Sequence, residues 1–183
     1  MTKVLLLDNV SPVCEENLKQ AGYDVTSKSK QAEDDLCAML PEYDAVAVRS
    51  GSKMTAKALE AGAGGNLKLV VRVGAGVDTI DLDAATRLGV IVENTPGTNA
   101  RGVVELTLAG LLAMARQVIP AHNSLKEGRW DKKKFGGTQL QDKTIGIVGL
   151  GNIGQGVARL AKGFGMEVLA FDPVVTPERA GEC

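Results

Sequence analysis

Aromatic side chains are almost missing from this sequence, which has one Trp, two Tyr and three Phe in 183 residues. Surfaces that stack nucleobases are built from such rings, so no base-stacking role is expected. Neither sign of charge is in excess. Lys and Arg number 21 against 22 Asp and Glu, a net charge of −1, too small to make a nucleic acid or an anionic membrane the main partner. The three cysteines, Cys14, Cys37 and Cys183, are odd in number and lack metal-ligand spacing. Reduced thiols in a cytoplasmic protein are therefore expected, with no metal centre. The apolar run near the N-terminus, Val4–Leu7, is far too short for a signal peptide or a membrane span. Low-complexity segments and short repeats are absent, and histidine occurs once, at His122.

What is present is alternation. At 44% hydrophobic, the chain has enough apolar material for one sizeable core or two small ones. Val4–Leu7, Ala45–Val48, Leu67–Val71 and Val90–Val92 read as strands, with Val25 in a weaker one. Ser11–Ala21, Gln31–Leu40, Thr55–Ala61 and Leu82–Leu88 read as the helices between them, several with Ser, Thr or Asp near the start. Such alternation predicts a parallel sheet with helices on both faces. Asn94-Thr95-Pro96-Gly97 interrupts it like a hinge. Beyond the hinge, Arg101–Val118 reads as one long helix, apolar nearly all round and so destined for a core or a subunit interface. Pro120 to Gln141 reads as a polar loop carrying Trp130 and Lys132-Lys133-Lys134.

The most specific signal lies near the C-terminus. Thr144–Val148 is an apolar strand running into Gly149-Leu150-Gly151-Asn152-Ile153-Gly154, and a helical pattern follows over Ile153–Lys162. A second strand, Val168–Phe171, ends in Asp172. A glycine turn between a strand and a helix, with an acidic residue closing the next strand, is the context of a dinucleotide site. Gly149 permits the turn, Gly151 lets the backbone approach a pyrophosphate, and Gly154 allows close packing of helix on strand. Asp172 can accept both ribose hydroxyls, and it would repel a 2′-phosphate, so NAD is favoured over NADP.

Two arginines fall at strand ends, where ligands bind in open α/β sheets. Arg49 follows Ala45–Val48, and Arg72 closes Leu67–Val71 before Gly74-Ala75-Gly76. Both offer planar forks for carboxylate or phosphate. His122 has no glycine-rich loop or carboxylate beside it in sequence and is expected to be structural or solvated.

Taken together, Arg72-Val73-Gly74-Ala75-Gly76-Val77-Asp78, Asn94-Thr95-Pro96, Glu105-Leu106-Thr107, the glycine turn and Asp172-Pro173 resemble the D-isomer-specific 2-hydroxyacid dehydrogenase family. Trp130 to Leu140, Phe164-Gly165-Met166 and Phe171-Asp172-Pro173 are similar to its animal-type D-3-phosphoglycerate dehydrogenase branch. The likeness runs from about Lys3 to Pro173 and is specific from Leu67 onward.

The resemblance implies a flavodoxin-like substrate domain over residues 1–97, followed over 98–183 by the first half of a Rossmann NAD-binding domain. It implies substrate contacts from Arg49, Ser50, Arg72, Gly74 and Lys132, the last reaching across a dimer toward a substrate phosphate. It implies NAD contacts from Ala75, Gly149, Gly151, Asn152, Ile153, Gly154 and Asp172. At two of these positions the chain departs from the branch: Lys132 stands where an Arg is usual, keeping the charge without the fork, and Ala75 replaces a hydroxyl residue. The implied activity is NAD-dependent oxidation of 3-phosphoglycerate, the first step of serine synthesis, by a cytoplasmic homodimer or homotetramer. The family's catalytic Arg, Glu and His fall after Cys183, so the 183 residues alone are expected to be inactive and to self-associate. Two alternatives stay open: a glyoxylate or hydroxypyruvate reductase, and a non-catalytic protein or truncated isoform that binds NAD or partners.

Overall fold

The computed structural model describes residues 1–181; Cys183 lies outside the described residues. The chain divides into two compact units, Met1–Thr98 and Asn99–Cys183. In the first, β1 (Lys3–Leu6), β2 (Asp24–Ser27), β3 (Ala45–Val48), β4 (Leu69–Arg72) and β5 (Ile91–Asn94) alternate with α1 (Pro12–Gln20), α2 (Glu33–Met39), α3 (Ala56–Ala63) and α4 (Leu82–Leu88). All strand pairs are parallel, in the order β2-β1-β3-β4-β5. This is the flavodoxin-like order, whose direction of winding reverses between β1 and β3.

Period-2 alternation sorts the side chains onto two faces. Leu5, Leu7, Val46, Val48 and Val70 enter one core with Leu36 of α2, Ala58 and Leu59 of α3, and Ala84 and Ala85 of α4. Val4, Leu6 and Ala47 face the other way, against Cys14 and Leu18 of α1. Local chemistry starts and stops the helices. The Thr55 and Asp81 side chains accept from the amides of Ala58 and Ala84 as N-caps, and left-handed Gly89 ends α4.

The second unit contains α5 (Ala100–Ala115), α6 (Val118–Lys126), a 3₁₀ turn at Lys132–Lys134, β6 (Thr144–Val148), α7 (Asn152–Gly163), β7 (Glu167–Phe171) and α8 (Pro177–Gly181). β6 and β7 pair in parallel. Their core joins Val104 and Leu108 of α5 to Ile147, Leu150, Val157 and Ala158. α5 and α7 approach closely because position 156 is glycine; a Cβ there would lie 2.6 Å from a Val104 methyl.

Two expectations are corrected here. Arg101–Val118 is not one helix: the chain turns at Gln117, whose φ is +52°, and α6 leaves at 64° to α5. Pro120 gives the reason. In a continuous helix its missing N–H and its ring would disrupt the turn that includes Arg116, whereas in the first turn of α6 neither matters. The returning chain also donates from the Thr138 amide to the freed Ala115 carbonyl at 2.7 Å. The start of the presumed loop from Pro120 is accordingly helical. Within this chain α5 buries Val104 and Leu108 in the core, while Leu106 and Met114 are 73% and 77% exposed. Among the described residues no single helix is long and apolar enough to cross a membrane; α5 and α6 together reach that length and composition only as a bent pair.

The glycines of this unit separate by what surrounds them. A Cβ on Gly154 would collide with the Gly149 backbone carbonyl, whereas one on Gly110 in α5 would meet nothing within 4 Å. Gly154→Ala should therefore lower stability by about 1–3 kcal/mol, and Gly110→Ala should raise it by roughly 0.5–1 kcal/mol through helix propensity. Urea unfolding of the two variants checks the opposite signs.

Candidate functional site

In the second unit the glycine turn is held open by its neighbours. Gly149 has φ +94° and donates to the Phe171 carbonyl at 2.7 Å, so the turn leaves β6 tied to the end of β7. Leu150 points into the core, and its amide donates to Asp172 Oδ2 at 2.7 Å. Gly151 then serves as the N-cap of α7 in extended geometry with no side-chain cap. The amides of Asn152 and Ile153, in the first turn, lack intrahelical acceptors, and the helix dipole adds positive potential there. A Cβ at Gly151 would meet nothing within 4 Å, so the space before these amides is open. These features fit a diphosphate. An open recess of about 350 Å³ runs beside the turn, lined by Thr107, Ile147, Gly149, Ile153, Gly154 and Val157 among others.

Asp172 does more than close a strand. Besides Leu150, its carboxylate accepts from the amides of Val174 at 2.8 Å and Val175 at 2.9 Å. These bonds, Val174 first, hold its carboxyl below the usual aspartate range, so it is ionised at neutral pH. A carboxylate offers about four acceptor positions. Three are filled by amides, and a position on Oδ2 remains for a ribose hydroxyl. Gln155 adds a further tie by donating from Nε2 to the Leu150 carbonyl at 2.8 Å.

The first unit assembles a different edge. Parallel pairing puts the ends of β1, β3, β4 and β5 side by side, and backbone bonds run along that edge from Leu7 N to Ala47 O, from Val73 N to Val48 O and from Thr95 N to Gly74 O. Arg49 and Ser50, just past β3, are both exposed. Arg72 is partly buried and donates from Nη1 to the Val73 carbonyl at 2.7 Å, while its Nε is buried without a partner. The expected free fork is thus partly committed to the turn it precedes. Gly74, at φ +154°, leaves the room that this folded-back guanidinium occupies. Ala75, assigned to the cofactor by resemblance, lies in the same turn, and its carbonyl accepts from Asn94 Nδ2 at 2.7 Å.

Two residues of this edge, Asp8 and Ser52, were not singled out from the sequence, and Asn94, read there as part of a hinge and a family motif, proves to be the brace of the glycine turn. Asp8 Oδ2 accepts from the amides of Arg49 and Ser52, both at 2.9 Å, and Oδ1 accepts from Ser52 Oγ at 2.7 Å. The available signal was Asp8-Asn9 directly after a strand, a pair suited to left-handed geometry; their φ values are +60° and +55°.

The remaining candidates lie apart from both arrangements in sequence. Lys132 is exposed in the 3₁₀ turn and lines a cavity of about 210 Å³ with Ser124, Arg129, Trp130, Asp131 and Phe135. Among the described residues it has no carboxylate partner, whereas Lys134 and Arg129 bridge Asp131. His122 is exposed on α6.

Known proteins match this chain along nearly its whole length. Residues 4–176 match the model of the D-isomer specific 2-hydroxyacid dehydrogenase catalytic domain. A D-3-phosphoglycerate dehydrogenase of Rattus norvegicus is 43% identical over 180 residues, which are 98% of this chain and 33% of that protein. A hydroxypyruvate reductase of Thermotoga maritima is 47% identical over 150 residues, 82% of this chain and 48% of that protein. The NAD+-bound 3-phosphoglycerate dehydrogenase of Entamoeba histolytica superposes with a TM-score of 0.77 at 31% identity, covering 97% of this chain and 56% of that one. The chain thus spans about a third of the length of the curated phosphoglycerate dehydrogenase it matches. Glycine turn, acidic strand end, flavodoxin-like sheet and these matches agree: the chain belongs to the D-isomer-specific 2-hydroxyacid dehydrogenases.

Proposed function

We propose that this chain provides the NAD-binding turn and part of the substrate clamp of a D-3-phosphoglycerate dehydrogenase, oxidising 3-phosphoglycerate to 3-phosphohydroxypyruvate at the start of serine biosynthesis. The observation that carries the reading is the glycine turn locked to Asp172, with uncapped amides at the start of α7. On this reading the amides of Asn152 and Ile153 receive the pyrophosphate, and Gly149, Gly151 and Gly154 shape the turn. Asp172 accepts from the adenosine ribose and repels a 2′-phosphate. NAD, when bound, supplies the acceptor for the hydride leaving C2. Arg49, Ser50, Arg72 and Gly74 hold the anionic substrate, and Ala75 lies toward the cofactor. Lys132 contributes a point charge toward the substrate phosphate of a partner subunit. The chain spans about a third of the length of the D-3-phosphoglycerate dehydrogenase it matches, so the complete reaction, with the proton-accepting His–Glu pair that the family pattern implies, is proposed for a longer protein.

A homodimer or homotetramer is part of this reading, because Leu106, Met114, Val118 and Ile119 present apolar surface on α5 and α6. The partner is a small molecule rather than nucleic acid or membrane, in keeping with the net charge of −1, and the proposed setting is the cytoplasm. A hydroxypyruvate reductase is the second reading, favoured by the 47% identity to that Thermotoga maritima protein. The full-length protein containing this chain decides between them. NADH formation from 3-phosphoglycerate is expected, with hydroxypyruvate reduction much slower; the reverse order would overturn the first reading.

Two further outcomes follow from the site. In the full-length protein Arg49→Ala should raise KM for 3-phosphoglycerate by about 30-fold or more, the loss of a charge-assisted contact, while calorimetry shows NAD affinity nearly unchanged. Equal losses for both ligands would mean that Arg49 supports the fold. Asp172→Ala should weaken NAD binding by about tenfold or more. The pH dependence has a definite sign. The folded Asp172 carboxyl titrates below its unfolded value, so its stabilisation is present above about pH 4 and is lost as pH falls through the lowered value. Thermal unfolding of Asp172→Asn should therefore fall less steeply below about pH 4 than that of the parent chain.

A further inference from the structure

β1 ends at the point where the sheet reverses its winding, the place at which open α/β sheets receive ligands. Asp8 and Asn9 lie just beyond it, after Leu7, both in left-handed geometry although neither is glycine. Strained backbone of this kind persists where surrounding interactions enforce it and gathers at functional sites. Here the enforcing interactions are visible. Asp8 is only 9% exposed, and its carboxylate accepts from Arg49 N, Ser52 N and Ser52 Oγ. It therefore grips both ends of the four-residue loop 49–52 while Arg49 and Ser50 stay exposed. The fit is close on the inner side, where a Cβ on Gly51 would lie 2.7 Å from Asp8 Oδ1. Ser52 is 1% exposed, so its hydroxyl has no recourse to water. Among the described residues neither Asp8 nor Arg49 forms a salt bridge, so the acid is satisfied by amides and a hydroxyl and does not consume the arginine's charge.

We propose that Asp8 is a positioning residue, which through the Arg49 and Ser52 amides shapes loop 49–52 so that Arg49 and Ser50 face the substrate anion. The proposal rests on the assignment of that loop to substrate under the proposed function. Burial, the largest single influence on Asp8, raises its pKa, but the bonds from Ser52, Arg49 and Gly51 together outweigh it and leave the carboxyl lowered. The group is a carboxylate at neutral pH, able only to accept. Asparagine at this position keeps one acceptor oxygen but loses the negative charge, so its bonds to the Arg49 and Ser52 amides become weaker neutral ones.

The test uses the full-length protein containing this chain, with amide hydrogen exchange read over the segment 49–52 and a calorimetric titration with 3-phosphoglycerate. Asp8→Asn is expected to speed exchange over that segment by about tenfold or more, leaving Leu5 and Val46 unchanged, and to weaken 3-phosphoglycerate binding by about tenfold. If Asp8→Asn fails to fold, Ser52→Ala removes one donor only and should speed exchange over the segment a few-fold. Exchange within twofold of the parent protein in the variant that folds would overturn Asp8's hold on the loop, whatever the loop binds. A loosened loop with unchanged 3-phosphoglycerate affinity would overturn its positioning role. Arg49→Ala binding 3-phosphoglycerate like the parent protein would instead overturn the substrate assignment of the loop.

Discussion

A parallel sheet has to be covered on both faces, because consecutive strands are joined by crossovers that pass over one face or the other. In the first unit this constraint is met by Leu5, Leu7, Val46, Val48 and Val70 on one side and by Val4, Leu6 and Ala47 on the other. Its consequence is directional. Every strand runs the same way, so β1, β3, β4 and β5 all finish at one edge, and the residues that follow them share it. Asp8, Arg49, Arg72 and Asn94 come from positions scattered over nearly ninety residues, yet backbone bonds link their strand ends into one continuous edge.

Both units then use the same device to order a loop of bare backbone donors. A carboxylate at or just after a strand end accepts amides from the neighbouring loop: Asp8 takes Arg49 and Ser52, and Asp172 takes Leu150, Val174 and Val175. Charged acceptors form stronger bonds than neutral ones and have two oxygens to distribute. One group can therefore fix two segments at once. The side chains and amides left outside the clamp, Arg49 and Ser50 in one unit and Asn152 and Ile153 in the other, are those with anion-binding chemistry.

The α5–α6 segment shows a different balance. Val104 and Leu108 complete the core of the second unit, while Leu106, Met114, Val118 and Ile119 remain in water. Burial of these apolar side chains would stabilise the protein, at about 25 cal/mol per Å² removed from solvent. The bend at Gln117 turns Val118 and Ile119 onto a separate helix, at 64° to α5.

Helix–strand alternation, the parallel sheet and the glycine turn with its acid were all legible from residue order, because periodicity and turn chemistry act over a few neighbours. The family was legible for the same reason, its motifs being local runs. The break at Gln117 was foreshadowed by Pro120 but placed by contacts with Gly137-Thr138, twenty residues on. Asp8 was invisible as a clamp, since its partners lie 41 and 44 residues away. Arg72 read as a free fork, and only the turn after β4 bends its guanidinium back onto Val73. The sequence by itself thus determined which elements form and which chemistry they carry. Tertiary structure alone decided which polar groups satisfy one another and which stay available, because that choice depends on strand ends brought together by packing across the chain.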